Sequence, residues 1–175
     1  MWIQTYTGKQ FFPFDPKPDQ IDITDIAHAL SNTCRYTGHC RYYYSVAQHS
    51  VHVAEQLEGS KLALAGLLHD ASEAYLADVA RPIKGHIEGY ADLEKTLDEA
   101  IAEKFGVEYP WPDAVKDVDT RILFDERAVL LGPSPADWGI DAEPLGIHIV
   151  PWANEGAKAA FLGLFNYLMT MRDYH

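Results

Sequence analysis

The chain has 175 residues, 47% of them hydrophobic and 23% charged, which suits one domain whose core needs no covalent staples. Fourteen basic residues stand against 26 acidic ones, a formal charge of −12 without any basic stripe, which excludes a binder of nucleic-acid polymers. No run approaches ~18 apolar residues, the N-terminus lacks a signal-peptide pattern, and Cys34 and Cys40 make no secreted disulfide framework, so the expectation is a cytoplasmic protein with no membrane partner.

Residues 2–12 read as a hairpin. Trp2 to Tyr6 favour a strand, Thr7-Gly8 offers a turn, and Gln10-Phe11-Phe12 return. The prolines from Pro13 to Pro18 exclude a helix there. Ile23, Ile26, Ala27 and Leu30 then recur at helical spacing, with Asp22 or Thr24 as cap. Residues 33–44 are aromatic, basic and irregular, and read as a loop or broken helix. A helix is expected from about Ser45 to Leu57. The most apolar helix follows over 61–76, buried on most sides. Asp78 to Gly89 reads as a loop, residues 90–105 as an amphipathic helix closed by Gly106. Pro112 is expected at the first helical position of a helix running to about Leu131. Four prolines make 133–151 a loop, and a last helix covers about Ala153 to Met171. The expected fold is an all-α bundle, a single domain over 1–175, with a short N-terminal β-hairpin.

Some polar residues are misplaced for a core. His69-Asp70 interrupts the most apolar helix, where an unpaired carboxylate is expensive. On a continuous helix His69, Asp70 and Glu73 fall at about 0°, 100° and 40°, within roughly a third of the circumference. The plain alternative is that His69 and Asp70 satisfy nearby backbone groups. Asp119 shares the buried face of Val115 and Ile122, whereas Asp117 does not. His49 and His52 share a face of the preceding helix, and one or both can ligate. Together His49, His69, Asp70 and Asp119 suit a divalent metal with mixed nitrogen and oxygen preference. Glu73, one turn from His69, is placed to handle protons without ligating.

These residues resemble the signature of the HD-domain metal-dependent phosphohydrolases. Ser45-Val46-Ala47-Gln48-His49-Ser50 is similar to the "S-V-x-x-H-S" helix of short bacterial and phage members. The block from Leu67 to Lys84, with His69-Asp70-Ala71-Ser72-Glu73, Asp78, Pro82 and Lys84, resembles that of the deoxynucleotidase-like branch. The likeness spans about residues 10–130, and is strong because the long block comes with its His and Asp partners.

The resemblance implies an HD-domain helical bundle that hydrolyses deoxynucleotides. His49, His69, Asp70 and Asp119 match the ligands of one divalent ion (Co, Mn, Zn, Mg, Ni or Fe), and Glu73 the catalytic carboxylate. Asp78 matches an acidic group near the sugar, Arg35 a phosphate-binding arginine, and Lys84 a further phosphate cation. Tyr36 stands where the deoxynucleotidases place tryptophan, which touches base or sugar selectivity, and it offers a flat face for a base. Lys116, three residues before Asp119, reads as solvated. The implied partner is a small-molecule deoxynucleotide. The first expectation is dATP, cleaved at the α-phosphate to deoxyadenosine and triphosphate, as the likeness to phage dATP triphosphohydrolases implies. The alternative, from the likeness to bacterial nucleotidases, is a 5′-deoxynucleotidase acting on monophosphates. A regulatory HD domain that binds without turnover is opposed by the intact Glu73, Asp78 and ligand set. A structural zinc domain of His28, Cys34, His39 and Cys40 fits no strong spacing. Members of this branch are commonly homo-oligomers, and Phe161, Leu162, Leu164, Phe165 and Leu168 of the last helix suit either an interface or the core.

Overall fold

In the computed structural model, which describes residues 1–172, the hairpin is anchored to the first helix by one aspartate. Strands β1 (Ile3–Gln4) and β2 (Gln10–Phe11) pair antiparallel, Ile3 opposite Phe11. The backbone N–H and hydroxyl of Thr7 donate to Asp25 at 2.7 and 2.9 Å. Asp25 lies in the first turn of α1 (Ile23–Asn32), and Asp22 caps that helix by accepting from the Thr24 N–H at 2.9 Å. Phe11 is fully buried and stacks on Tyr75 at 3.9 Å between ring centroids.

Between α1 and α2 (Val46–Glu55) the chain loops out and returns. Arg35 N donates to Tyr44 O at 2.9 Å and Val46 N to Thr33 O at 3.0 Å. Those bonds hold Arg35 beside the start of α2, whose cap Ser45 accepts from Gln48 N at 3.1 Å. Helix α3 (Ser60–Leu68) is buried at every position from Ala63 to Leu68, as its uniform apolarity predicts. It meets α2 closely at Gly66, where a Cβ would collide with the Leu57 side chain.

The single helix expected over 61–76 is broken. After Leu68 the chain tightens: Ala71 N donates to Leu68 O at 2.9 Å and Glu73 N to Asp70 O at 3.0 Å. These bonds span three residues, not four. A new short helix α4 (Glu73–Leu76) follows, ended by Ala77 at a φ of +69°. Leu67, Leu68 and Ala71 are buried in the broken arrangement as they would be in a continuous one, so periodicity cannot reveal the break. The shared arc of His69, Asp70 and Glu73 therefore arises from a turn, not from one helix face. The expected loop 78–89 contains another short helix, α5 (Arg81–Lys84), with Pro82 in its first turn.

Helix α6 (Tyr90–Phe105) ends at Gly106, whose φ of +64° is the left-handed cap expected of it. Pro112 stands just before α7 (Asp113–Leu130), one position earlier than expected. Helix α8 (Asn154–Arg172) packs on α1, α2 and α3. Phe161, Phe165 and Leu168 are buried in the main core, with Leu162 and Leu164 packed against it. Phe161, Phe165 and Leu168 thus serve the core, with Leu162 and Leu164 half-buried at its edge, and Phe161→Ala would cost about 3–5 kcal/mol. A smaller cluster of Val53, Ala65, Val115, Val118 and Ile122 joins α7 to α2 and α3. Among the described residues no helix is long and apolar enough to cross a membrane.

Candidate metal centre and its cleft

His49, from the first turns of α2, is fully buried. Its Nδ1–H donates to Glu126 Oε1 at 2.7 Å, which leaves Nε2 as the ring's free lone pair. His69, just past α3, does the same by another route: its Nδ1–H donates to the Gly66 carbonyl at 2.7 Å. Both Nε2 atoms are buried, and among the described residues neither has a hydrogen-bond partner.

Carboxylates converge on those two nitrogens. Asp119 Oδ1 lies 3.1 Å from His49 Nε2 and 3.7 Å from His69 Nε2. Asp70 reaches His49 Nε2 at 3.6 Å and His69 Nε2 at 3.3 Å with its two oxygens. One donor atom each from His49, His69 and Asp70 lie within 4.8 Å of one another, a group that could hold a metal ion. Buried nitrogens without partners are costly, and a divalent cation would satisfy both at once. Burial opposes charge on His69, but Asp70 and Asp119 outweigh it and hold the imidazole up to about 9 without an ion. Burial likewise opposes charge on Asp119, yet the facing imidazoles of His49 and His69 hold its carboxyl well below the usual range.

Glu126 is a residue that nothing in the sequence singles out. It sits in the Asp-Glu-Arg run of α7, which reads as a solvated face, yet it is fully buried. Besides His49 it accepts from the Tyr36 hydroxyl at 2.6 Å and lies 3.3 Å from Arg35 Nε. Burial opposes its charge, but Arg35, His49 and Tyr36 prevail and hold the carboxyl down to about 2. The available signal was spacing: Glu126 stands seven residues after Asp119, nearly two turns, and so shares its face.

A cleft of about 660 Å³ opens on this centre, lined among others by Asp70, Asp119, Arg35, Glu73, Asp78 and Lys84. Arg35 is buried, with Nη1 3.4 Å from Asp70 Oδ2. Glu73 is buried with Oε2 unpartnered; burial, then the charges of Asp70 and Asp78, push its carboxyl well above the usual range. Burial raises Asp78 too. Lys84 is held by Glu94 at 2.5 Å. Arg81 joins the lining from α5, 4.0 Å from Asp119 Oδ2, and Trp138 joins it from the proline-rich loop; neither is distinguished by sequence.

Other sequence candidates lie elsewhere. His52 packs on Trp152 and pairs with Glu55, away from the centre. Lys116 pairs with Asp113 on the surface. Of the other aromatics in the 33–44 segment, Tyr44 is buried, the Tyr43 hydroxyl donates to Ser31 O, and Tyr42 is exposed. Cys34 and Cys40 are free thiols.

No protein-family model matches the chain. It is 37% identical over 175 residues to the protein named Uncharacterized protein YfdR of Escherichia coli (strain K12), covering 98% of this chain and 97% of that one. It is also 37% identical over 149 residues to Uncharacterized protein RCAP_rcc00048 of Rhodobacter capsulatus, covering 78% of this chain and 76% of that one.

Proposed function

The chain belongs to the YfdR family, and from its own site we propose that it is an HD-type metal-dependent phosphohydrolase of deoxynucleotides. The observation that carries this reading is the pair of buried, unpartnered imidazole nitrogens of His49 and His69, facing Asp70 and Asp119 in a cleft lined by arginine and lysine.

A divalent ion held by His49, His69, Asp70 and Asp119 supplies water activation near neutral pH and polarisation of a phosphoryl oxygen. The chain's own residues do the rest. Arg35 turns Nε toward Glu126 and Nη1 toward Asp70, and its remaining donors bind oxygens of the α-phosphate. The water oxygen adds to phosphorus, the bond from phosphorus to the 5′ oxygen breaks, and that oxygen takes a proton. Glu73, kept protonated by burial and by its carboxylate neighbours, donates it and is reprotonated from the attacking water. Asp78 lines the cleft near Glu73 and contacts the sugar.

The preferred substrate is dATP, giving deoxyadenosine and triphosphate, because Arg81 and Lys84 add cations beyond Arg35 to the lining. A 5′-deoxynucleotidase is the second reading, favoured by the pairing of Lys84 with Glu94, which already neutralises one of those cations. Self-association rests on the resemblance alone, since the largest apolar residues of α8, Phe161 and Phe165, are buried in the domain.

Product analysis by chromatography tests the reading on metal-loaded and EDTA-treated protein. Triphosphate from dATP, lost with the metal, is expected. Faster orthophosphate release from dAMP would replace it with the 5′-nucleotidase, and no product from either would overturn the enzyme.

A further inference from the structure

The cleft lining divides by chemistry. Beside its charged residues it carries Leu123 from α7 and Trp138 and Ile140 from the loop after it. Trp138 is 39% exposed, a large aromatic surface left open at a polar site. Covering that face with a flat apolar ligand would remove apolar area from water, which is favourable.

The loop presents Trp138 in a defined way. Gly139 N donates to Asp137 Oδ1 at 2.9 Å, and Gly139 has a φ of +68°, so the indole sits at the tip of a tight turn. Further along, Asp125 of α7 accepts from Leu145, Gly146 and Ile147 N–H at 2.8, 2.9 and 3.1 Å. Arg121 Nε donates to Glu143 O at 3.1 Å. The Arg127 guanidinium lies 4.8 Å from the indole centroid, itself packed on Phe124, and Arg127 is not among the cleft-lining residues. One side of the indole is therefore backed by a cation while the ring contributes surface to the cleft.

Tyr36, the aromatic residue that the sequence offers for a base, is otherwise engaged. Its hydroxyl is bound to Glu126 and Arg35 lies 5.4 Å from its ring centroid. Its ring is 6.3 Å from Trp138 at a tilt of 41°, within the range of a direct aromatic pair (roughly 4.5–7 Å), so no third ring fits between them.

We propose that Trp138 is the stacking platform for the base of the nucleotide, with Leu123 and Ile140 completing an apolar subsite. This rests on the phosphohydrolase reading and assigns it a specificity-determining residue. Stacking gives affinity for any flat base without a base-specific hydrogen bond, and purines, with the larger face, gain most.

The test is calorimetric binding of dATP, dCTP and inorganic tripolyphosphate, with Mn2+ present, in a Glu73→Gln background that suppresses turnover. Trp138→Ala is expected to weaken dATP about tenfold or more, dCTP less, and tripolyphosphate not at all, with Trp138→Phe restoring most of the dATP affinity. An unchanged melting temperature confirms that the exposed position is tolerated. Equal weakening of dATP and tripolyphosphate would assign Trp138 to holding the loop and overturn the platform. A parent that binds dATP no better than tripolyphosphate also overturns it, while leaving the phosphohydrolase reading standing. A parent that binds none of the three rejects both.

Discussion

The Nδ1–H of His49 donates to Oε1 of Glu126 at 2.7 Å, across 77 residues of sequence. Asp119, nearly two turns earlier on α7, stands 3.1 Å from the other nitrogen of the same ring. One helix thus places a carboxylate at each end of the imidazole. Glu126 orients the ring and raises its basicity, and Asp119 stands on the ligand side. Glu126→Gln is therefore expected to weaken Mn2+ or Co2+ binding about 10–100-fold in a calorimetric titration. Glu126→Ala should in addition lower stability by about 3–5 kcal/mol, because Arg35 is left buried beside no carboxylate on that side. Wild-type affinity in the Gln variant would show that the contact is incidental.

Glu73 has no direct bond to the cluster, and its buried Oε2 has no partner. Glu73→Gln is expected to retain one metal ion per chain and to lose about 10²–10⁴ in turnover of dATP. Metal analysis beside kcat makes the distinction. Activity within a few-fold of the parent moves the acid–base role to Asp78.

Lys84 donates to Glu94 at 2.5 Å. On the phosphohydrolase reading it would exchange that partner for a phosphate, so its contribution would depend on how many phosphates the substrate carries. Lys84→Ala is expected to reduce kcat/KM for dATP at least tenfold more than for dAMP. Equal losses on the two substrates would place Lys84 in the fold of the 73–94 segment and not in phosphate binding.

Asp98 gives a pH signature away from the cleft lining. It is buried on α6, accepts from Trp111 Nε1 at 3.3 Å, and leaves Oδ1 unpaired. Burial pushes its carboxyl up to about 7 against an ordinary 3.8. The folded state then binds the extra proton between those values, so this group's stabilisation is complete below about pH 3.8 and is lost as pH rises through 7. Asp98→Asn removes the penalty of a buried charge and is expected to raise the melting temperature at pH 8 by a few degrees, roughly 2–4 °C per kcal/mol, with little change at pH 4. A gain of the same size at both pH values would refute that origin.

The centre was legible where a polar residue interrupts an apolar pattern. His69, Asp70 and Asp119 stand out because their neighbours Leu67, Leu68, Val115 and Ile122 are core residues. The break at His69–Ser72 was not legible, because a three-residue hydrogen-bond closure and a four-residue one bury the same leucines. Glu126 hid among charges that look solvated, and its burial depends on Arg35 and Tyr36 arriving from 90 residues away. Arg81 and Trp138 lay in segments that proline marks as irregular, where spacing carries no directional information. The caps Asp22 and Ser45 and the terminator Gly106 fell where local chemistry puts them, since those preferences need no tertiary partner.

Three carboxylates of α7, Asp119, Asp125 and Glu126, face three different tasks: the imidazole pair, the backbone of 145–147, and the far side of His49. Each added or lost residue in that stretch would rotate everything beyond it by about 100°. Length variation between Asp119 and Glu126 would therefore dephase the helix and uncouple all three at once. Between Gly132 and Glu143, outside the turn that carries Trp138, the chain can lengthen or shorten at little cost. In descendants of this sequence, insertions should accumulate in that loop and be purged from the seven-residue interval that precedes it.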